Sequence, residues 1–119
     1  MNSKDKGKTG ERELKTILEH LLRVEVHRTG HLQGSGGHVV ADVTIPSLPL
    51  YIECKRCQKV SMPKWMDKAK EDCPENKMPI VAWRQNHKEW NVNMTLEHFV
   101  MLMNLTDRES LIAQLENNQ

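Results

Sequence analysis

Two short apolar segments separated by a proline-containing turn are the strongest constraint on how this chain folds. Residues 39–45 and 50–54 are rich in β-branched and aliphatic side chains, and residues 46–49 include two prolines that interrupt the pattern. We therefore predict two neighbouring strands joined by a tight connection. Because side chains alternate along a strand, Glu53 and Lys55 are expected on one face, with the apolar residues of the second strand on the other.

A pair of carboxylates is predicted where these two strands meet. Asp42 lies on the first strand and Glu53 on the second, so strand pairing would bring them within a few ångströms, where like charges repel unless a cation neutralises them. Mg²⁺ prefers oxygen ligands, which two carboxylates, a backbone carbonyl such as that of Cys54, and a phosphate would supply. Lys55 would then orient an attacking water or stabilise the transition state. A surface salt bridge beside an unrelated aspartate would give the same pattern.

Length and cysteine content limit the protein class. The 119 residues are enough for one modest core, and we predict a flexible basic arm over residues 1–8 and a single domain over residues 9–119. We find no signal-peptide pattern at the N-terminus and no apolar run of membrane-spanning length. Three cysteines, an odd number, are typical of a reduced protein, so we expect a cytoplasmic protein without membrane attachment.

Charge is distributed unevenly along the chain. From residue 89 onward there are five acidic residues and one basic residue, whereas the first 88 residues contain 16 basic and 11 acidic residues. A basic face that binds a polyanion such as DNA, opposite an acidic tail, would account for this asymmetry. Ordinary solvated lysines would also account for it.

The remaining patterns predict an α/β fold. Apolar residues at helical spacing indicate a helix over about residues 10–22 with Thr9 as N-cap, and a short strand follows over residues 24–28. Further along, we predict a glycine-rich loop over 29–38, a helix from Pro63 to before Pro74, strands over 78–84 and 89–93, a helix around 96–103, and a last helix after a capping box at Thr106. The order is helix, three strands, helix, two strands and two helices, with a central mixed five-stranded sheet.

Several motifs together resemble a known nuclease family. The Asp42 and Glu53-x-Lys55 arrangement resembles the PD-(D/E)xK nuclease superfamily, with Ala41 in place of the motif's proline. A narrower resemblance is to archaeal-type Holliday-junction resolvases, which also occur in phages. It covers roughly the first two-thirds of the chain and is carried by the following features: Gly-Lys-Thr-Gly-Glu-Arg-Glu-Leu at residues 7–14, Arg28, Gly-Ser-Gly-Gly at residues 34–37, Asp42, and Glu53-x-Lys55.

This resemblance implies a restriction-endonuclease-like fold and a metal-dependent endonuclease that resolves four-way junctions as a homodimer. It implies that Glu11 joins Asp42, Glu53 and the Cys54 carbonyl around Mg²⁺, or Mn²⁺ as a substitute, with Lys55 orienting the attacking water or stabilising the transition state. Taken alone, Glu11 in the first helical turn could simply complement the helix dipole. Together with the basic segments, the resemblance predicts these DNA contacts: Lys8, Arg12, Arg28, Ser35, Arg56, Lys59, Arg84 and Gln85. Trp65 is a possible dimer contact.

Three alternatives compete with this prediction. A nuclease of the same superfamily could act on flaps, nicks or ordinary duplex, and a non-catalytic DNA-binding module could use Glu53 and Lys55 only as a salt bridge. Cys54-x-x-Cys57 with Cys73 could indicate zinc. The zinc hypothesis is disfavoured because Cys54 must point away from the face that carries Glu53 and Lys55.

Overall fold

The computed structural model describes residues 3–29 and 41–118, which form four helices and five strands in the predicted order. The elements are α1 (Ser3–Leu22), β1 (His27–Arg28), β2 (Val43–Thr44), β3 (Leu50–Arg56), α2 (Met62–Asp72), β4 (Met78–Arg84), β5 (Asn91–Asn93), α3 (Leu96–Leu105) and α4 (Arg108–Asn117). Most of the predicted glycine-rich loop, together with residues 39 and 40 of the predicted strand, lies outside the described residues.

The five strands form one mixed sheet in the order β1-β2-β3-β4-β5. All neighbouring pairs are antiparallel except β3 and β4, which run parallel with Glu53 opposite Val81. A parallel pair needs a crossover connection, and α2 provides it. The predicted α/β fold with a central mixed sheet is therefore confirmed.

Each face of the central strands packs against a different helix. On one face Leu14 of α1 joins Val43, Ile52 and Ile80 in the main core cluster, and on the other Val81 packs with α2. Because residues alternate along β3, Ile52 and Cys54 belong to the α1 side, while Glu53 and Lys55 border a cavity with α2 residues. The sheet thus separates the apolar core from the two charged residues of the Glu-x-Lys motif.

The first helix begins earlier than we predicted. It starts at Ser3 rather than near Gly10, so residues 3–8 of the predicted flexible arm belong to the helix and Thr9 is not its N-cap. The sequence suggested an arm because residues 1–8 are polar and contain three lysines. Gly10 has a packing role: a Cβ atom added there would lie 3.0 Å from the Cβ atom of Arg56, so glycine permits close approach of α1 to β3.

Smaller differences occur at other element ends. The first two strands contain only two residues each, and β5 begins at Asn91 rather than at residue 89. The last helix is capped by Asp107, whose side chain accepts a hydrogen bond from the Ser110 backbone amide, and not by Thr106. Throughout residues 3–29 and 41–118, we find no helix with the length and apolar character needed to cross a bilayer.

Candidate active site

Asp42 is held in place at the entry to β2. Its backbone carbonyl accepts a hydrogen bond from the Thr29 amide at 3.2 Å, and its Oδ2 atom accepts one from the Cys54 amide at 3.0 Å. The Thr29 hydroxyl also donates to the carbonyl of Ala41. These contacts link the ends of β1 and β2 to the middle of β3, so backbone groups on two sides position the Asp42 residue.

Glu53 lies beside Asp42, as the strand pairing predicted. The two side chains are hydrogen-bonded to each other, and Asp42 and Glu53 are only 8 % and 7 % exposed. Burial first, and then the hydrogen bond to Asp42 and its charge, raise the pKa of Glu53 to about 7, against the opposing effects of Lys55 and Lys68. Protonation of Glu53 removes its repulsion from Asp42, and a divalent cation could neutralise the two carboxylates instead.

Glu11, on α1, lines a cavity together with Asp42 and Glu53, and it forms an ion pair with an arginine. Its Oε1 atom lies 3.3 Å from the Arg28 Nε atom. Burial, followed by the charge of Asp42, raises the pKa of Glu11, while Arg28 opposes the increase. Glu11, Asp42 and Glu53 all line one cavity of about 390 Å³.

Of the three acidic residues in this cavity, Asp42 and Glu53 are the two best placed to bind a metal ion together. Within residues 3–29 and 41–118, no three His, Cys, Asp or Glu side chains are arranged to hold an ion together. The contacting pair is Asp42 and Glu53, with Glu11 across the cavity in its ion pair with Arg28. Buried oxygen donors that lie side by side suit a hard cation such as Mg²⁺.

Lys55 borders a second cavity between β3 and α2. Its ammonium group lies 5.9 Å from the centroid of the Trp65 ring, a favourable cation–π distance. Trp65 also packs against the smaller core cluster, so its ring is a fixed surface beneath the lysine. Trp65, which we predicted as a dimer contact, therefore has a role within its own chain.

Lys68 is a site residue that sequence reasoning missed. It lines the cavity that contains Glu11 and also the cavity of about 290 Å³ that contains Lys55, and its charge lowers the pKa of Glu53. Ala69, fully buried against the sheet, fixes this turn of α2. Lys64 and Lys68 are four residues apart and therefore share a helix face beside the site, a spacing that the sequence already contained.

The fold and this arrangement of acids and lysine agree with a comparison to known families. A family model described as "Phage putative PDDEXK endonuclease" matches residues 2–118. The chain belongs to this family. Our identification of the PD-(D/E)xK superfamily is thereby confirmed, whereas the match does not separate junction resolvases from other members. Searches of curated proteins and of solved structures gave no significant match.

In this phage PD-(D/E)xK endonuclease, one predicted DNA contact lines the cavity and three others are exposed on neighbouring segments of the chain. Arg56 lines it, and the Arg56 Nε atom is buried without a hydrogen-bond partner among the described residues. Lys8 and Arg12 are exposed on α1, and Lys59 is exposed after β3. Arg28 forms an ion pair with Glu11, and Ser35 lies outside the described residues.

Two other predicted DNA contacts of the endonuclease already bind other parts of the protein. The Nη1 atom of Arg84 lies 3.2 Å from Glu13 of α1, and its guanidinium lies 6.0 Å from the Trp90 ring. Trp90 donates a hydrogen bond to the same Glu13 carboxylate at 2.8 Å. Gln85 donates to the backbone carbonyl of Gln58 at 2.7 Å. Both side chains join distant segments of the chain, and their DNA contacts stay predictions.

The cysteines of the endonuclease do not support the zinc alternative. All three are free thiols: Cys54 is buried, Cys57 donates to the carbonyl of Lys59, and Cys73 donates to the carbonyl of Lys77. Burial raises the pKa of the Cys54 thiol, and the neighbouring carboxylates raise it further. No zinc-binding group of these cysteines with His, Asp or Glu occurs in the described ranges.

Proposed function

We propose that this endonuclease is Mg²⁺-dependent and resolves four-way DNA junctions by paired symmetric cuts, acting as a homodimer in the cytoplasm of the infected host cell. The observation that carries metal-dependent cleavage is the hydrogen-bonded Asp42 and Glu53 pair, with Lys55 at the next position on the same face of β3. The preference for junctions is supported by the resemblance of residues 7–14, Arg28 and the glycine-serine segment to the resolvases.

Each site residue has a distinct part in this proposal. Asp42, Glu53 and the Cys54 carbonyl would hold the cation, with Glu11 across the cavity. When bound, Mg²⁺ would neutralise the carboxylates and polarise the scissile phosphodiester. On metal binding, Glu53 would lose the proton that its raised pKa favours, and solvent would accept it.

Lys55 and Lys68 supply positive charge on the other side of the carboxylate pair. Trp65 fixes the position of the Lys55 ammonium, which can donate hydrogen bonds to a phosphate oxygen or orient the attacking water. Lys68 borders both cavities and attracts the same phosphate group. Exposed bases on α1, together with Arg56, would contact the flanking phosphates and position the DNA without reading its sequence.

A cleavage assay on three substrates tests this proposal. Purified protein is incubated with a labelled immobile four-way junction, an equal-length duplex and a 5′ flap, each with Mg²⁺ or with chelator. We expect symmetric, metal-dependent nicks in the junction, even with excess linear duplex present. Cleavage of flap or duplex instead would reject junction resolution, and tight binding without any cleavage would favour a non-catalytic module.

Two substitutions test the metal ligands in the same assay. Glu53→Gln and Asp42→Asn are expected to abolish cleavage and to preserve junction binding, because removing a ligand leaves the phosphate contacts in place. Glu89→Gln, at an exposed position before β5, is the matched control and should cleave like wild type. Retained cleavage in both site variants would refute the metal assignment.

A further inference from the structure

Most of the large apolar side chains of α3 are not covered by the other described residues, although Glu97, His98 and Asn104 interrupt the apolar surface. Leu96 and Leu105 are 75 % and 81 % exposed, and Phe99 and Val100 are also exposed. The helix lies wholly within the described residues and contains no buried residue. Large apolar side chains at this density on one helix are normally covered, and a ten-residue helix is marginal in water without packing.

The next helix has an uncovered apolar stripe. Ile112 and Leu115 of α4 are 56 % and 59 % exposed, and Leu111 beside them is exposed as well. These positions share one helix face, and α4 also lacks any buried residue along its fully described length. Together, α3 and α4 expose more clustered large apolar side chains than a monomeric surface usually does.

An apolar groove lies beside these helices. It has a volume of about 550 Å³ and lies between α3 and the beginnings of β3 and β4. Its apolar lining includes Leu50, Met78, Ile80, Met94, Met101 and Leu105. Ile80 belongs to the main core cluster, so the groove is an open edge of the core.

We propose that α3 and α4 form the interface of a two-fold dimer, in which α4 of each copy packs into the groove of the other. The chain carries both a groove and an apolar stripe, and a reciprocal exchange covers both at once. A standard interface involves about 800 Å² and roughly 20 to 30 residues per partner. The two ten-residue helices and the groove-lining strand residues together offer a number of residues within that range.

The charge of this surface excludes DNA as its occupant. Glu97, Asp107, Glu109 and Glu116 lie on or beside the two helices, against the base Arg108, and the groove lining adds one acid, Glu75, and one base, Lys77. A polyanion would be repelled there, as would an anionic membrane. An apolar surface bordered by acids therefore fits a protein partner, and a second copy supplies both complementary halves.

The interface adds detail to the proposed function. What the interface implies for DNA cleavage rests on that function. The groove meets β3 at its first residue, Leu50, on the α1 side of the sheet. The proposed metal ligand Glu53 is in the middle of β3 and Lys55 is nearer its end, and both face the other side of the sheet. A dimer through α3 and α4 would therefore leave both active sites open to the two strands of one junction. This interface differs from a contact through Trp65 on α2.

Sedimentation analysis of the full chain, without DNA or metal, tests the interface. We expect a wild-type dimer, and we expect Leu105→Glu and Ile112→Glu each to raise the dimer dissociation constant about 30-fold or more. Both side chains are exposed in the single chain, so the variants should retain the wild-type circular dichroism spectrum. Leu21→Glu, at an exposed position on α1, is the matched control and should dimerise normally.

Three results would overturn this inference. They are a wild-type monomer throughout the micromolar range, a dimer unaffected by both glutamate variants, or dissociation by Trp65→Ala alone. Junction cleavage distinguishes failure of the interface from failure of the proposed function. A dimer sensitive to both variants that cuts no DNA would support the interface and reject the function, whereas paired cuts by a monomer would reject the interface.

Discussion

Replacing Glu53 with glutamine is expected to stabilise the metal-free protein at alkaline pH. The Glu53 carboxyl is buried against Asp42, and its pKa rises from 4.5 to about 7. A glutamine amide at this position would keep the size of the side chain and donate a hydrogen bond to Asp42, as the protonated carboxyl does. The variant thus removes the charge repulsion and retains the contact.

The sign and size of the effect follow from proton linkage. Because the raised pKa means that the folded state binds more protons than the unfolded state, wild-type stability falls as pH rises from about 4.5 through 7. Each pKa unit corresponds to about 1.36 kcal/mol, so ionised Glu53 is expected to cost up to about 3 kcal/mol above pH 7. The Glu53→Gln variant has no carboxyl group at this position, so its stability does not fall in this way.

Urea unfolding at about pH 5 and about pH 8, with chelator present, measures this difference. We expect the free energy of unfolding of Glu53→Gln, relative to wild type, to increase by about 1 to 3 kcal/mol between the two pH values. Subtracting the wild-type free energy of unfolding at each pH cancels the contribution of every titratable group that both proteins contain. The exposed Glu71→Gln variant is the control and should show no such change. A relative stability that is flat or decreases with pH would refute the coupling between Glu53 and Asp42.

Three further predictions concern the same region. Lys68→Gln should lower the cleavage rate about tenfold or more and leave folding intact, because it removes a charge beside the carboxylates, whereas exposed Lys70→Gln should not; equal rates would exclude Lys68 from the site. Titration calorimetry should show Mn²⁺ binding more tightly at about pH 8 than at about pH 6, with proton release near pH 7, and pH-independent affinity would contradict this. Gly10→Val should lower the free energy of unfolding by about 1 to 3 kcal/mol by forcing α1 away from Arg56, whereas Gly7→Ala, with open space around it, should not; a neutral Gly10→Val would contradict the close packing.

The element order and the central acidic pair could be predicted because they depend on local patterns. Alternation in β3 places Ile52 and Cys54 on the core side and Glu53 and Lys55 on the other, and the short connection after β2 brings Asp42 alongside. Strand pairing of adjacent segments needs no information from distant parts of the chain. The helices at the C-terminal end were predictable for the same reason.

Contacts between distant segments were not predictable in this way. The glycine at position 10 is typical of a helix break, yet it is where α1 closely approaches Arg56 of β3. Arg84 was predicted as a DNA contact, but Glu13 and Trp90 bind it within the protein. In both cases the partner that decides the role, Arg56 or Glu13, belongs to a distant segment, and local propensity contains no information about such a partner.

The sequence by itself determined the strands, the helices and the residues that meet across adjacent strands, since these follow from side-chain periodicity and short connections. Only the tertiary structure decided that Lys68 borders both cavities, that Trp65 supports Lys55, and that α3 and α4 leave their apolar side chains exposed. The physical reason is that helix packing on the sheet depends on the shapes of both surfaces, which periodicity within one segment does not specify.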